Sequence, residues 1–217
     1  MQEVIINFLN NTLGGFDSSI IKAISGLQCG FLTFLFKAIT FLGEKGIIFF
    51  VGAIVLMLFK KTRFLGICIF GAVGLGAILT NIILKDYVMR LRPFESGNSL
   101  YLELWNNLGS PMESGFSFPS GHATATASAM TALFIMLKKK YSFIPIIVII
   151  LMGLARIYLI AHYPTDVIAG IIVGIIAGIV AYYITKLICL LCEKYSAKKF
   201  FNFILEFDIK NIFNKQK

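Results

Sequence analysis

Val167–Thr185 reads VIAGIIVGIIAGIVAYYIT, a run without a charged side chain. A helix of that length matches a bilayer, because ~20 apolar residues rising ~1.5 Å each cover a hydrocarbon core ~30 Å thick. Gly170, Gly174 and Gly178 recur along it at four-residue spacing, a stripe of small residues that lets a second helix approach closely. Gly46–Phe59 is equally free of charge. The whole chain of 217 residues is 58% hydrophobic, with 21 phenylalanines and a mean hydropathy of +0.84. A soluble chain of this size cannot bury several helices that lack a polar face. The fold class is therefore all-α, a polytopic membrane helix bundle, and the length suits a single membrane domain spanning 1–217.

Working outward from that run, hydropathy predicts six transmembrane helices, at about Ser19–Leu42, Ile47–Phe59, Phe64–Leu84, Phe118–Leu137, Phe143–Ala161 and Pro164–Leu191. Gly43–Gly46 (GEKG) reads as a tight turn between the first two, and Lys37 either snorkels or faces the bundle. Residues 2–13 have the spacing of a surface helix, and without a basic leader region they are expected to be retained. Residues 193–217, rich in Lys and Phe, read as an amphipathic tail and not a further span. The longest polar segment, 93–118, holds the single tryptophan, Trp105, which favours the headgroup level. It reads either as an anchored loop or as a lid over a lipid entry. Cys29, Cys68, Cys189 and Cys192 lie in or beside apolar runs and read as small hydrophobes; Cys189-x-x-Cys192 has no second pair to complete a zinc site.

The formal net charge is +9 and the pI about 9.4. The excess sits in loops and the tail, where it serves topology and anionic headgroups; no nucleic-acid partner is expected. Six spans put both termini on one side. Lys60, Lys61, Arg63, Lys138, Lys139, Lys140 and the tail lysines fall on that side, which the positive-inside rule makes cytoplasmic. Lys85, Arg90, Arg92, His122, Arg156 and His162 fall on the extracytoplasmic side.

Those residues lie in three polar clusters: Lys85–Pro93 (KDYVMRLRP), Phe118–His122 (FPSGH) and Arg156–Asp166 (RIYLIAHYPTD). Both histidines of the chain are in them. Ionisable groups at membrane depth are costly and mark functional sites. Guanidinium forks match tetrahedral oxyanions and lysine adds a point charge, so the fitting guest is a phosphate. Ser120 suits the N-cap of the fourth span, and Gly121 opens that helix's first N–H groups to an anion. Pro164 fits a first helical position, which puts His162 in the incoming turn and Asp166 in the first turn, where the carboxylate can bond one imidazole nitrogen and leave the other free. A neutral, oriented imidazole accepts a phosphoryl group, and the second histidine can protonate the leaving oxygen. Asp86, Glu95, Glu103, Glu113 and Asp166 are scattered, without the clustering a magnesium pair needs, so the expected chemistry uses no metal and no cofactor. Arg90 is expected to face solvent, the alternatives being a second phosphate or a headgroup.

The series Lys85-x6-Arg92-Pro93, Pro119-Ser120-Gly121-His122 and Arg156-x5-His162-x3-Asp166 resembles the type 2 phosphatidic acid phosphatase superfamily, which includes vanadium haloperoxidases. The resemblance covers about residues 60–190. It implies that Lys85, Arg92 and Arg156 bind phosphoryl oxygens with Ser120 and the Gly121 backbone, that His122 is the general acid, that His162 is the nucleophile forming phosphohistidine, and that Asp166 orients it. The family often has Ser before the third-motif Arg; here it is Ala155, which is not a charged ligand.

The expected function is thus an integral-membrane lipid phosphatase acting on undecaprenyl diphosphate, phosphatidylglycerophosphate, phosphatidic acid or a lipid A phosphate. Two alternatives are a haloperoxidase-like vanadate enzyme, disfavoured by the membrane body, and a non-catalytic lipid-binding or transport protein, disfavoured because every charged motif residue is present.

Overall fold

The computed structural model describes residues 2–211, and all its elements are helical. They are α1 (Gln2–Asn7), α2 (Gly14–Ser25), α3 (Gly30–Leu42), α4 (Ile47–Met57), α5 (Arg63–Ala77), α6 (Lys85–Val88), α7 (Ser99–Asn107), α8 (Gly121–Met136), α9 (Phe143–Tyr158), α10 (Pro164–Lys194) and α11 (Lys199–Glu206). A π-helical stretch, Ile78–Leu84, joins α5 to α6. Arg63–Glu95, Lys139–Tyr158 and Pro164–Lys194 are long and apolar enough to cross a membrane, and α3 with α4, bent by 50°, forms a fourth such unit. With large apolar side chains outward on these helices, the molecule is a membrane protein.

The packing is inside-out relative to a soluble bundle. Along α10, Ile168, Ile172, Ile176 and Leu187 are exposed while Gly170, Gly174 and Gly178 are buried. A Cβ on Gly174 would lie 2.6 Å from the Thr124 carbonyl and 2.6 Å from the Ala127 Cβ, so the α10 stripe lies directly on α8. Lipid solvates apolar surface as well as a core does, so helix contact here comes from close backbone approach. α8 answers with small residues: every residue from Ala123 to Ala132 is buried. α5 shares the device in part. A Cβ on Gly66 would meet the Ala53 carbonyl at 2.5 Å and one on Gly76 the Ser128 Oγ at 2.5 Å, whereas Gly74 has open space. Of the cysteines, Cys68 and Cys192 are buried but Cys29, at the head of α3, is exposed.

The expected first span, Ser19–Leu42, is two helices, α2 and α3, separated at residues 26–29. Gly43–Gly46 does not reverse the chain either: α3 and α4 meet at 50°. Cys29 and Thr33 bond the Tyr158 hydroxyl at one end of the bundle, and Leu58 accepts from Ile209 N at the other, so α3 and α4 together make one traverse. α5–α6 returns, α8 descends, α9 returns and α10 descends. The N-terminal segment packs at the α6 end: Asn10 and Asp17 bond Arg90, and Ser18 bonds Tyr101. The tail packs at the opposite end, where buried Arg63 donates to the carbonyls of Ile204 and Phe207 and Lys60 pairs with Glu206 at 2.6 Å. Among the described residues, three helices and one bent pair are of spanning length and apolarity, where the hydropathy reading expects six separate spans. The difference at the first expected span arises because α2 and α3 are contiguous in apolarity but broken in backbone. α11 bears exposed Phe200 and Phe203, and residues 212–217 of the expected amphipathic tail lie outside the described residues.

Candidate active site

The three clusters converge at the α6 end of the bundle, around a cavity of about 710 Å³. Lys85, Arg92, Gly121, His122 and His162 line it. Arg156, Ser120 and Asp166 are each fully buried in the wall behind. The π-helical stretch delivers Asn81 and Lys85 to the cavity, and Met89, at φ 54, turns the chain so that Arg90 and Arg92 leave α6 into the site. A second left-handed residue, Ile160 at φ 55, closes α9 and folds Ala161 N (3.2 Å) and His162 N (3.4 Å) back onto the Arg156 carbonyl. A β-branched residue in that region costs ~1–3 kcal/mol, and such strain is held where surrounding contacts over-determine it.

Pro164 does open α10, with Asp166 at its third position; Asp166 Oδ2 accepts from Tyr163 N at 3.1 Å. The expected direct bond to His162 is absent: Nδ1 and Oδ2 are 3.8 Å apart. Ser117 sits between them. Its hydroxyl donates to Asp166 Oδ2 and lies 3.3 Å from His162 Nδ1. This places the ring proton on Nδ1 and turns the Nε2 lone pair to the cavity, 3.4 Å from Arg92. Burial, and then Arg156 and Arg92, hold the His162 pKa well below the usual imidazole value, so the ring is neutral at physiological pH.

Arg90 is the largest departure from the sequence reading. It is 2% exposed and does not face solvent. Its Nη1 donates to Asp166 Oδ1 at 2.7 Å and to Thr165 Oγ1 at 2.8 Å, its Nη2 to Asp17 Oδ2 at 2.8 Å, and its guanidinium stacks on Tyr163 at 3.9 Å. Asp17 also accepts from Thr165 N at 2.9 Å. One buried cation thus ties the N-terminal segment to the Asp166 carboxylate beside His162. Ser120 occupies the N-cap of α8, but its hydroxyl makes no capping bond; its N–H donates to the Asp166 carbonyl at 3.0 Å.

Glu113, read in the sequence as one scattered carboxylate, lies in the middle of the cations. It accepts from Arg92 Nη1 at 3.1 Å through one oxygen and from Arg156 Nη2 through the other. Burial alone raises a carboxyl pKa, but the charge and hydrogen bond of Arg156 override it and hold Glu113 at about 2. Arg92 is further fixed by the carbonyls of Gly115 (2.9 Å), Ala161 (3.0 Å) and Ser114 (3.2 Å). Arg156 Nε and Nη1, His122 Nε2 and Ser120 Oγ are buried with no hydrogen-bond partner among the described residues.

Residues 65–188 match the family model of the PAP2 superfamily. The chain belongs to the PAP2 superfamily. It is 31% identical over 157 residues to an undecaprenyl-diphosphatase of Sulfolobus acidocaldarius, 72% of each protein. The crystal structure of Aquifex aeolicus LpxE superposes with a TM-score of 0.63 at 26% identity, over 75% of this chain and 92% of that one. A transmembrane PAP2-type phosphatidylglycerolphosphate phosphatase of Bacillus subtilis shares the fold at 22% identity, TM-score 0.64, over 92% and 94%. The PAP2 protein described here is accordingly a membrane phosphatase of the lipid-phosphatase family.

Proposed function

We propose that this PAP2 phosphatase removes the terminal phosphoryl group of a phosphorylated membrane lipid, without a metal ion, through a phosphohistidine on His162. The observation that carries the reading is the cation cradle closed around Glu113, with further donors of Arg156 and Ser120 and the His122 imidazole unpartnered beside it. Glu113's two oxygens stand where two phosphoryl oxygens fit. With Glu113 displaced, Lys85, Arg92 and Arg156 neutralise the anion, and the positive charge they hold stabilises the charge that develops on the transferring group.

His162 Nε2 then attacks phosphorus, and the bond from phosphorus to the lipid-side oxygen breaks. His122, protonated as the phosphate anion binds beside it, gives its proton to that oxygen. The Nδ1 proton of His162 is held by Ser117, and Ser117 by Asp166, so positive charge forming on the ring is stabilised without proton transfer. In the second half His122, now neutral, takes a proton from water, which attacks phosphorus, releases inorganic phosphate and restores His162. The products balance as one alcohol, or one lipid monophosphate from a diphosphate, and one phosphate per water consumed.

The lipids suggested by the relatives' names are undecaprenyl diphosphate and phosphatidylglycerophosphate; phosphatidic acid and a lipid A phosphate share the same reacting group. Lys60, Lys61, Lys138, Lys139 and Lys140 lie at the bundle end opposite the cavity, so the positive-inside rule puts the site on the extracytoplasmic face. The tail is then cytoplasmic and the N-terminal segment extracytoplasmic. The deciding assay is phosphate release from those four lipids by purified protein in EDTA, with His162→Ala as control. Release that persists in EDTA and vanishes in the variant is expected; release that survives His162→Ala, or that EDTA abolishes, overturns the mechanism.

A further inference from the structure

The cavity is far larger than one phosphate, and the cation cradle lines only part of it. α3, which lies outside the matched residues 65–188, supplies another part with Lys37, Thr40 and Phe41, and the turn after it adds Glu44. Three observations set this side apart. Lys37 makes no ion pair or side-chain hydrogen bond among the described residues. Its ammonium lies against the loop that carries Glu113, since a Cβ on Gly109 would be 3.5 Å from Lys37 Nζ. The Thr40 hydroxyl, one helical turn away on a residue 6% exposed, is buried with no partner among the described residues. A buried hydroxyl without a partner is costly, and beside it the half-buried Lys37 ammonium faces the same cavity. Glu44 is exposed on the same side, so solvent screens its charge.

We infer that Lys37 and Thr40 form a second anion subsite, which takes the phosphoryl group next to the one being transferred in a lipid diphosphate. This rests on the proposed phosphatase function and narrows its substrate class from lipid phosphates in general to lipid diphosphates. The terminal phosphoryl group occupies the cradle of Arg92 and Arg156. The bridging oxygen faces His122, and the inner phosphoryl group meets the Lys37 ammonium and the Thr40 hydroxyl, with the lipid chain beyond. A lipid monophosphate leaves this pair unused.

The test titrates the detergent-purified full chain with orthophosphate and with pyrophosphate, for wild type, Lys37→Met and Thr40→Val. Wild type is expected to bind pyrophosphate at least about tenfold more tightly than orthophosphate, as one added charge-assisted contact provides. Lys37→Met should lose about tenfold for pyrophosphate and Thr40→Val about threefold, both keeping orthophosphate within about twofold, which also shows that the variants are folded. In turnover, Lys37→Met should lower kcat/KM for a lipid diphosphate by about tenfold while sparing the monophosphate of the same chain. Equal losses for both anions, no change for either, or a wild type that does not prefer pyrophosphate overturns the subsite. If pyrophosphate preference depends on Lys37 but no lipid is dephosphorylated, the phosphatase mechanism fails and the subsite stands.

Discussion

Replacing Glu113 by Gln removes the carboxylate that spans Arg92 and Arg156 and keeps the side chain's shape. If Glu113 holds the place of a substrate phosphate, every substrate must displace it, and its grip on the arginines subtracts from apparent affinity. The grip can be sized from its acidity. Held at about 2 against an ordinary value of 4.5, the ionised carboxyl is favoured by on the order of 3 kcal/mol at this position. Removing that charge should tighten an incoming anion by up to about a hundredfold. The assay is competitive inhibition by orthophosphate during turnover: the inhibition constant is expected to fall by about ten- to a hundredfold in Glu113→Gln, with kcat within a factor of a few. The variant also strands buried guanidinium groups, at a cost of roughly 3–5 kcal/mol, so its Tm should fall without phosphate and recover with it. Acid does not mimic the substitution. A carboxyl whose folded pKa is depressed contributes its stability above the unfolded value and loses it only as pH falls through the folded one, here about 2. An inhibition constant unchanged or raised in Glu113→Gln would refute the reasoning and make Glu113 a participant in binding.

Other expectations concern the surrounding network. Asp17→Asn leaves Arg90 short of one carboxylate partner and loosens Asp166; kcat should drop by about tenfold with KM nearly constant, as for a residue that positions the reacting ring and does not touch substrate. Ser117→Ala breaks the link from His162 Nδ1 to Asp166 and should cost about 10- to 100-fold in kcat, read from steady-state kinetics on a lipid monophosphate. The His162 pKa is depressed in the folded protein, so below about pH 6.5 the unfolded chain binds a proton that the folded one refuses, and stability falls with acid. The Tm decline from pH 7.5 to 5 should be shallower in His162→Gln. Gly174→Leu, aimed at the Thr124 carbonyl and the Ala127 Cβ, should destabilise by about 3 kcal/mol or prevent assembly of the bundle, seen as early denaturation in detergent.

The sequence carried the membrane class and the three clusters because polar groups are rare in it: with two histidines in the chain and both in the polar clusters, chemistry stands out from lipid-facing surface. The α10 glycine stripe was legible for the same reason, since period-four glycines have a direct packing meaning. What escaped was set by chain path. Arg90 looked like a solvent-facing neighbour of Arg92 until α2, 73 residues earlier, delivered Asp17 to it. Ser117 and Glu113 lie in a polar loop whose course periodicity does not predict. The signal that could have raised Glu113 is charge balance: buried Arg92 and Arg156 need a carboxylate when no anion is bound, and Glu113 is the acidic residue nearest to the second motif in sequence. The α2–α3 break and the 50° bend after α3 are backbone events inside apolar sequence, so hydropathy merged the one and turned the other into a reversal.

The central claim is that His162 carries the phosphoryl group. The direct measurement is quenching of purified protein in alkaline detergent during turnover of a lipid labelled in its terminal phosphate, followed by digestion and mass spectrometry at alkaline pH. The account predicts an acid-labile, base-stable phosphoryl group on the peptide bearing His162, present in wild type and absent in His162→Ala. Phosphate release with no label on that peptide, or the same label in His162→Ala, would contradict it.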